Sequence, residues 1–131
     1  QCSALFLCFK IDLEIFDTEQ SFADIGLDSC LQKAVEKLGF THPTVIQSKL
    51  IPLALTGSDV LGQSRTGSGK TAAFGLPALH LLDEEDAYGA LILVPTRELA
   101  IQVAAELEEL GQFTNLKAVP IYGGQKIPTQ I

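Results

Sequence analysis

Ser64-Arg65-Thr66-Gly67-Ser68-Gly69-Lys70-Thr71 gathers an ammonium, several hydroxyls and two glycines into one short stretch. Glycines on either side of Ser68 let successive backbone N–H groups converge on phosphate oxygens. Lys70 adds a point charge suited to β- and γ-phosphates, and the Thr71 hydroxyl can ligate Mg²⁺. Thr66, Gly67, Ser68, Gly69, Lys70 and Thr71 are therefore candidate phosphate-binding residues. Lys70 and Thr71 are the candidate catalytic pair, with Thr71 also the candidate metal ligand. The first glycine of the general pattern falls at Ser64, where a small side chain replaces a residue free to take any backbone angle. A Gly/Ser-rich linker would share the composition, but it has no reason to place Lys-Thr behind the second glycine between two apolar runs.

A second group able to recognise a nucleotide lies upstream. The Gln47 amide offers a donor and an acceptor in one plane, the complement of adenine's N7 and N6. Taken alone, an exposed helical glutamine is usually just solvated, and His42 beside Pro43 reads as a turn residue.

These groups need elements to hold them. Asp59-Val60-Leu61-Gly62-Gln63 reads as a strand entering the loop, and Thr71-Ala72-Ala73-Phe74 opens a helix out of it, so bound phosphates would meet a helix N-terminus. That helix is expected to turn Phe74, Ala78, Leu81 and Leu82 toward a core, to kink at Pro77 and to end near Leu82. Upstream, Asp28 is placed to cap a helix carrying Leu31, Val35 and Leu38 and stopped by Gly39, and Thr44 to cap the helix bearing Gln47. Downstream, the continuous apolar run Ala90-Leu91-Ile92-Leu93-Val94 has the character of a parallel strand covered on both faces. Thr96 caps a helix whose expected buried stripe is Leu99, Val103, Leu107 and Leu110, with Glu106, Glu108 and Glu109 solvated. Lys117 to Tyr122 is a strand placed at an edge or an end by Pro120. Alternating strands and helices predict an α/β domain with a parallel sheet flanked by helices.

The chain has 131 residues, the length of one domain, with 47% apolar composition and a net charge of −7. Such an acidic chain has no general electrostatic grip on nucleic acid, so any such contact must be local. Cys2, Cys8 and Cys30 are odd in number and lack metal-ligand spacing, so neither a disulfide framework nor a zinc site is indicated and a reducing cytoplasm fits best. Residues 1–20 read as a leader of unknown role, and residues 21–131 as the domain. The apolar Cys2 to Phe9 is about half the length needed to span a bilayer, and Lys10-Ile11-Asp12-Leu13 supplies no signal-peptide cleavage site. A chain without methionine is expected to have been cut from a longer one.

With these residues laid out, the chain resembles the DEAD-box RNA helicases. Their Q motif is matched by Gly39-Phe40, Pro43-Thr44 and Ile46-Gln47, with an isolated aromatic, Phe22, 17 residues before the glycine. Their phosphate loop, Ala-x-Thr-Gly-x-Gly-Lys-Thr, differs here only in having Ser64 for the alanine. Pro95-Thr96-Arg97-Glu98-Leu99-Ala100 matches motif Ia, and Gly123-Gly124 the Gly-Gly motif.

The resemblance covers about Phe22 to Ile131. It implies a P-loop NTPase fold with a RecA-like parallel sheet flanked by helices, incomplete at the C-terminus, within an ATP-dependent RNA helicase. It implies that Phe22 stacks on adenine while Gln47 reads its edge, that ATP and Mg²⁺ occupy the phosphate loop, and that Pro95, Thr96, Arg97, Gly123 and Gly124 take single-stranded or duplex RNA by its backbone. The Asp-Glu-Ala-Asp box, the Ser-Ala-Thr motif and a second RecA-like domain with its arginine finger are expected beyond Ile131, in a protein that is cytoplasmic, monomeric and not bound to membranes. The acidic Asp83-Glu84-Glu85-Asp86 is not that box. A metal-binding acid must leave the end of a buried strand beside the phosphate loop, whereas this run leaves a helix and enters a turn at Tyr88-Gly89. Two other readings stay open: a nucleotide-binding module or regulator that never hydrolyses, and a different P-loop enzyme such as a small kinase, against which motif Ia and Gly123-Gly124 speak.

Overall fold

The structure, a computed structural model, describes residues 16–83 and 88–124. The expectations for residues 1–15 of the leader, for Glu84 to Asp86 and for the chain after Gly124 fall outside those residues.

The first element is built by one carboxylate. Asp24 accepts from the Ser21 hydroxyl at 2.7 Å and from the Ser21 N–H at 3.1 Å. These bonds hold its carboxyl below the ordinary range, the hydroxyl having the larger effect. They close the 3₁₀ turn Phe22–Ile25, which buries both terminal side chains. Helix α1, Ser29–Lys37, follows and turns Leu31 and Val35 into the core. It stops as the sequence predicts: Gly39, at φ +77°, lets the Gly39 N–H reach Glu36 O at 3.0 Å and the Phe40 N–H reach Val35 O at 3.1 Å.

Asp28 stands at the N-cap of α1, but its side chain does not cap. It meets His80 Nδ1 at 3.1 Å instead, so the local capping bond gives way to a contact 52 residues along the chain.

Helix α2, Val45–Leu55, begins at Thr44, whose hydroxyl accepts from the Gln47 N–H at 3.4 Å. Helix α3, Lys70–Leu81, lies against both α2 and α4, Arg97–Leu110. The face expected to be buried on α3 is corrected here. Ala72, Ala73, Gly75, Leu76 and Pro77 are buried, while Phe74 and Leu81 are exposed and Ala78 and Leu82 only half-buried. Almost every side chain of this helix is apolar, so periodicity could not select a face. The choice falls on the smallest side, which admits close neighbours: a Cβ added to Gly75 would stand 2.6 Å from Leu107 Cδ2. On α4 the stripe is Ala104, Leu107 and Leu110; Val103 is half-buried and Leu99, in the first turn, is exposed. Glu108, expected in solvent, accepts from the Ala118 N–H at 2.6 Å and ties the following segment to α4.

The core joins Phe22, Ile25, Leu27, Leu31, Val35, Ile51, Ala72, Leu76 and Leu110. Among the described residues no helix is long and apolar enough to cross a membrane.

The expected strands are not found as a sheet. None of 59–63, 90–94 and 117–122 forms a β-ladder among the described residues, where the one bridge is antiparallel, Phe16 with Thr44. A ladder is a property of two strands, and parallel strands joined through helices need not be neighbours. The side chains nevertheless carry a strand signature. Exposure alternates from Leu91 to Val94 and from Lys117 to Tyr122, with Leu91, Leu93, Val119 and Ile121 on the open side.

Candidate functional site

Gly67 and Gly69 both have φ +76°, a left-handed conformation that costs other residues about 1–2 kcal/mol. Between them the chain turns sharply and enters α3 at Lys70. The first N–H groups of a helix find no carbonyl within it, and Gly69 at the N-cap has no side chain to offer them. That leaves amide donors and a helix dipole available to an anion. The loop is also bonded to itself: the Lys70 ammonium donates to Ser64 O at 2.7 Å, the Ser68 hydroxyl to Arg65 O at 2.7 Å, and the Ser64 and Ser68 hydroxyls are in hydrogen-bond contact. Thr66 and Gly67 are exposed and Thr71 is half-buried. Both left-handed glycines and a cationic Lys70 at a helix start are what a polyphosphate requires. Among the described residues there is no group of three or more His, Cys, Asp or Glu able to hold a metal ion. Thr71, at the start of α3, is the residue of this loop that could contribute a hydroxyl to a Mg²⁺ held by phosphate oxygens.

Gln47 is only 3% exposed, and the structure places it against this loop. Its Oε1 accepts from the Thr44 N–H at 2.9 Å, and its Nε2 donates to Gly69 O at 3.0 Å. The two bonds fix which end of the amide is which, since a flipped amide would set carbonyl against carbonyl. An amide has two donor hydrogens and two acceptor lone pairs on its oxygen, so one of each is left over, and one of each is what adenine's edge needs. Gly69 has a second reason to be glycine, because a Cβ there would overlap Gln47 Nε2. Sequence reading singled out both residues without showing that they meet.

Phe22 is not a free platform. It is 6% exposed, packed in the core with its ring centroid 6.1 Å from that of Phe40. Phe40, which sequence reading treated only as part of a motif, is 39% exposed and offers more ring surface. An exposed aromatic after a helix-stopping glycine was the available signal.

A separate group lies at the start of α4. Thr96 caps the helix, its Oγ1 accepting from the Leu99 N–H at 3.2 Å, which leaves the hydroxyl hydrogen free to donate. The Arg97 side chain is 58% exposed, with Nε 3.6 Å from Glu98 Oε1. Gly124, at φ +93°, comes beside it: a Cβ on Gly124 would stand 4.0 Å from Arg97 Nη1. Pro95 and Gly123 are exposed. The structure thus brings the two segments together into one guanidinium and glycine surface.

The CshA DEAD-box ATP-dependent RNA helicase of Geobacillus kaustophilus is 48% identical over 112 residues, which are 85% of this chain and 24% of that protein. The chain thus spans about a quarter of that relative's length. The crystal structure of the RNA helicase Prp28 from Chaetomium thermophilum bound to ADP is similar with a TM-score of 0.77 and 40% identity, covering 85% of this chain and 28% of that one. S. cerevisiae Dbp5 bound to RNA and ADP BeF3 is similar with a TM-score of 0.66 and 38% identity, over 72% of this chain and 25% of that one. The sequence model of the DEAD/DEAH box helicase family matches residues 44–131, from the cap of α2 through the phosphate loop to the last residue. Two thirds of the chain answer to that model, and the chain belongs to the DEAD/DEAH box helicase family.

Proposed function

We propose that the chain is the nucleotide-gripping part of a longer ATP-dependent RNA helicase, within its first RecA-like domain. Gly67, Ser68, Gly69 and Thr66 present the loop amides to the phosphates, Lys70 pairs with the β- and γ-phosphates, and Thr71 holds Mg²⁺ against them. A metal ion held there would neutralise charge on the phosphate oxygens. Gln47 contributes its remaining donor and acceptor to adenine, and the exposed margin of the Phe22 and Phe40 pair gives the base an apolar surface. Thr96, Arg97 and Gly123-Gly124 take RNA phosphates without reading bases. The full-length protein couples ATP hydrolysis to local duplex opening as a second RecA-like domain closes over the strand and then parts. ADP in the Prp28 structure and RNA with ADP BeF3 in the Dbp5 structure are bound by proteins of similar fold, which supports this reading.

The observation that carries it is the Gln47 Nε2 to Gly69 O bond, which joins the group complementary to adenine to the loop suited to phosphate. Guanine presents an O6 acceptor where adenine presents the N6 donor, so the remaining lone pair on Oε1 would be mispaired. A lost bidentate pair costs about 1–3 kcal/mol. Equilibrium binding to the full-length protein is expected to favour ATP over GTP accordingly, with the preference lost in Gln47→Ala. Equal affinities in the unaltered protein, or undiminished discrimination in the variant, would refute the assignment. The 131 residues contain no Asp-Glu-Ala-Asp sequence, so the chain alone is expected to bind nucleotide without steady turnover.

A further inference from the structure

The hydroxyls of the phosphate loop can be assigned by proton count. Ser68 has a single O–H hydrogen, and Arg65 O, 2.7 Å away, can only accept, so Ser68 donates there. The hydrogen between the two serines must then come from Ser64, which donates to the lone pair of Ser68 Oγ. Ser64 also receives, through its carbonyl, the Lys70 ammonium at 2.7 Å. One residue therefore closes the loop twice, by its side chain onto Ser68 and by its main chain onto Lys70. Both partners are groups that the proposed nucleotide site needs in order to receive phosphate. The main-chain closure is open to any residue at this position, but the side-chain closure requires a hydroxyl. Alanine, which the resembled motif carries here, cannot make it.

We propose that the Ser64 hydroxyl sets nucleotide affinity by competing with phosphate: it holds Ser68, and with it the turn between Gly67 and Gly69, in the self-bonded arrangement. Admitting phosphate requires this turn to open toward the ligand, and the Ser64 to Ser68 bond is lost as it does. Removing the hydroxyl removes that cost and leaves every phosphate-directed group in place. The inference rests on the nucleotide reading above and adds to it a residue that weakens binding.

The test is calorimetric binding of Mg·ADP and of a non-hydrolysable Mg·ATP analogue to the full-length protein with Ser64→Ala, Ser64→Thr, Ser68→Ala, the Ser64→Ala/Ser68→Ala pair and Lys70→Ala. A neutral intramolecular hydrogen bond has a net worth that corresponds to about a 2- to 12-fold change in an equilibrium. Ser64→Ala is expected to bind both ligands tighter by a factor in that range. Ser64→Thr, which keeps the hydroxyl, is expected to bind as the unaltered protein does. The double variant is expected to be no tighter than Ser68→Ala alone, because Ser64 then has no Ser68 hydroxyl to hold. Unchanged or weaker binding in Ser64→Ala would overturn the inference and show that the hydroxyl is idle or prepares the loop for phosphate. Lys70→Ala separates the two levels. If it abolishes binding while Ser64→Ala has no effect, only the inference fails; if it leaves binding intact, the nucleotide reading fails and the inference with it.

Discussion

A 131-residue polypeptide made as it stands is expected to fold marginally and to associate, and the structure supplies the magnitude. Leu91 and Leu93 are each 84% exposed, Ile121 68%, Leu61 65% and Val119 60%. Taken together they amount to roughly three to four large apolar side chains left wholly in water, and burying one such side chain is worth about 1.5–3 kcal/mol. The chain therefore forgoes about 5–11 kcal/mol that a covering layer would return, against a stability of about 5–15 kcal/mol for a whole domain. The same residues stand on segments 59–63, 90–94 and 117–122, none of which has a ladder partner among the described residues, so strand pairing with other copies is open to them. Circular dichroism on heating, with light scattering recorded in parallel, is expected to show a broad, low-temperature loss of helix accompanied by association. A monomer melting in one sharp transition would refute the reasoning, because it would show that the helical core of Leu31, Ile51 and Leu76 suffices without the sheet.

Three further outcomes follow from particular contacts. Gly75→Val in the full-length protein is expected to destabilise by about 1–3 kcal/mol, since the added atoms overpack Leu107 and Leu110; Gly75→Ala is expected to cost less, because the tip of Leu107 can move and alanine gains about 1 kcal/mol of helix propensity. Urea midpoints of the three proteins check the order. Arg97→Ala is expected to weaken binding of unrelated RNA strands to a similar extent and to lower the salt slope by about 0.7, as loss of one phosphate contact to a single strand does; a strong dependence on RNA sequence would contradict the assignment. The Asp24 carboxyl titrates below its usual value of 3.8 because Ser21 donates to it twice. A folded-state value lower than the unfolded one means that the stabilisation is complete above the unfolded pKa and is lost as pH falls through the folded pKa. Acid titration followed by NMR at Asp24 should find this depression reduced in Ser21→Ala, which removes the hydroxyl donor and keeps the N–H.

What could be read in advance was local. The phosphate loop, the Thr44 and Thr96 caps and the Gly39 stop each depend on residues within a few positions of one another, so their geometry is written in the spacing. The misplaced features are those decided by distant residues. Asp28 stands at a helix N-cap, yet His80 from α3 competes for its carboxylate. Glu108 is exposed as the sequence suggests, but that it accepts the Ala118 N–H from beyond the helix could not be read locally. Helix α3 is apolar on all sides, so its packed face was set by the closeness that Gly75 allows to Leu107 rather than by any period. Leu99 continues the stripe of α4 in sequence but lies in the exposed first turn. The run Ala90 to Val94, expected to be covered on both faces, instead leaves Leu91 and Leu93 exposed, and neither it nor Lys117 to Tyr122 forms a ladder among the described residues, because ladder hydrogen bonds and a covering layer need partners that no single segment specifies.

Helix α3 links the parts of the site in a way that neither the motifs nor the fold class discloses. Its N-cap, Gly69, is held to α2 by a single side-chain bond from Gln47, made between a group 3% exposed and a carbonyl at the loop's end. A movement of Gly69 toward a phosphate therefore either breaks that bond or draws the first turn of α2 with it, including the Thr44 N–H on the same amide. Nearly two turns further on, Gly75 sits against Leu107, whose Cδ2 would have to move to admit a Cβ, so sliding α3 along α4 would repack that side chain. The two attachments differ in kind. A hydrogen bond can exchange one partner for another as a nucleotide arrives, while close apolar packing resists displacement from the outset. The amide suited to adenine and the loop suited to phosphate are thereby joined through an exchangeable contact, whereas α3 and α4 meet through side-chain packing.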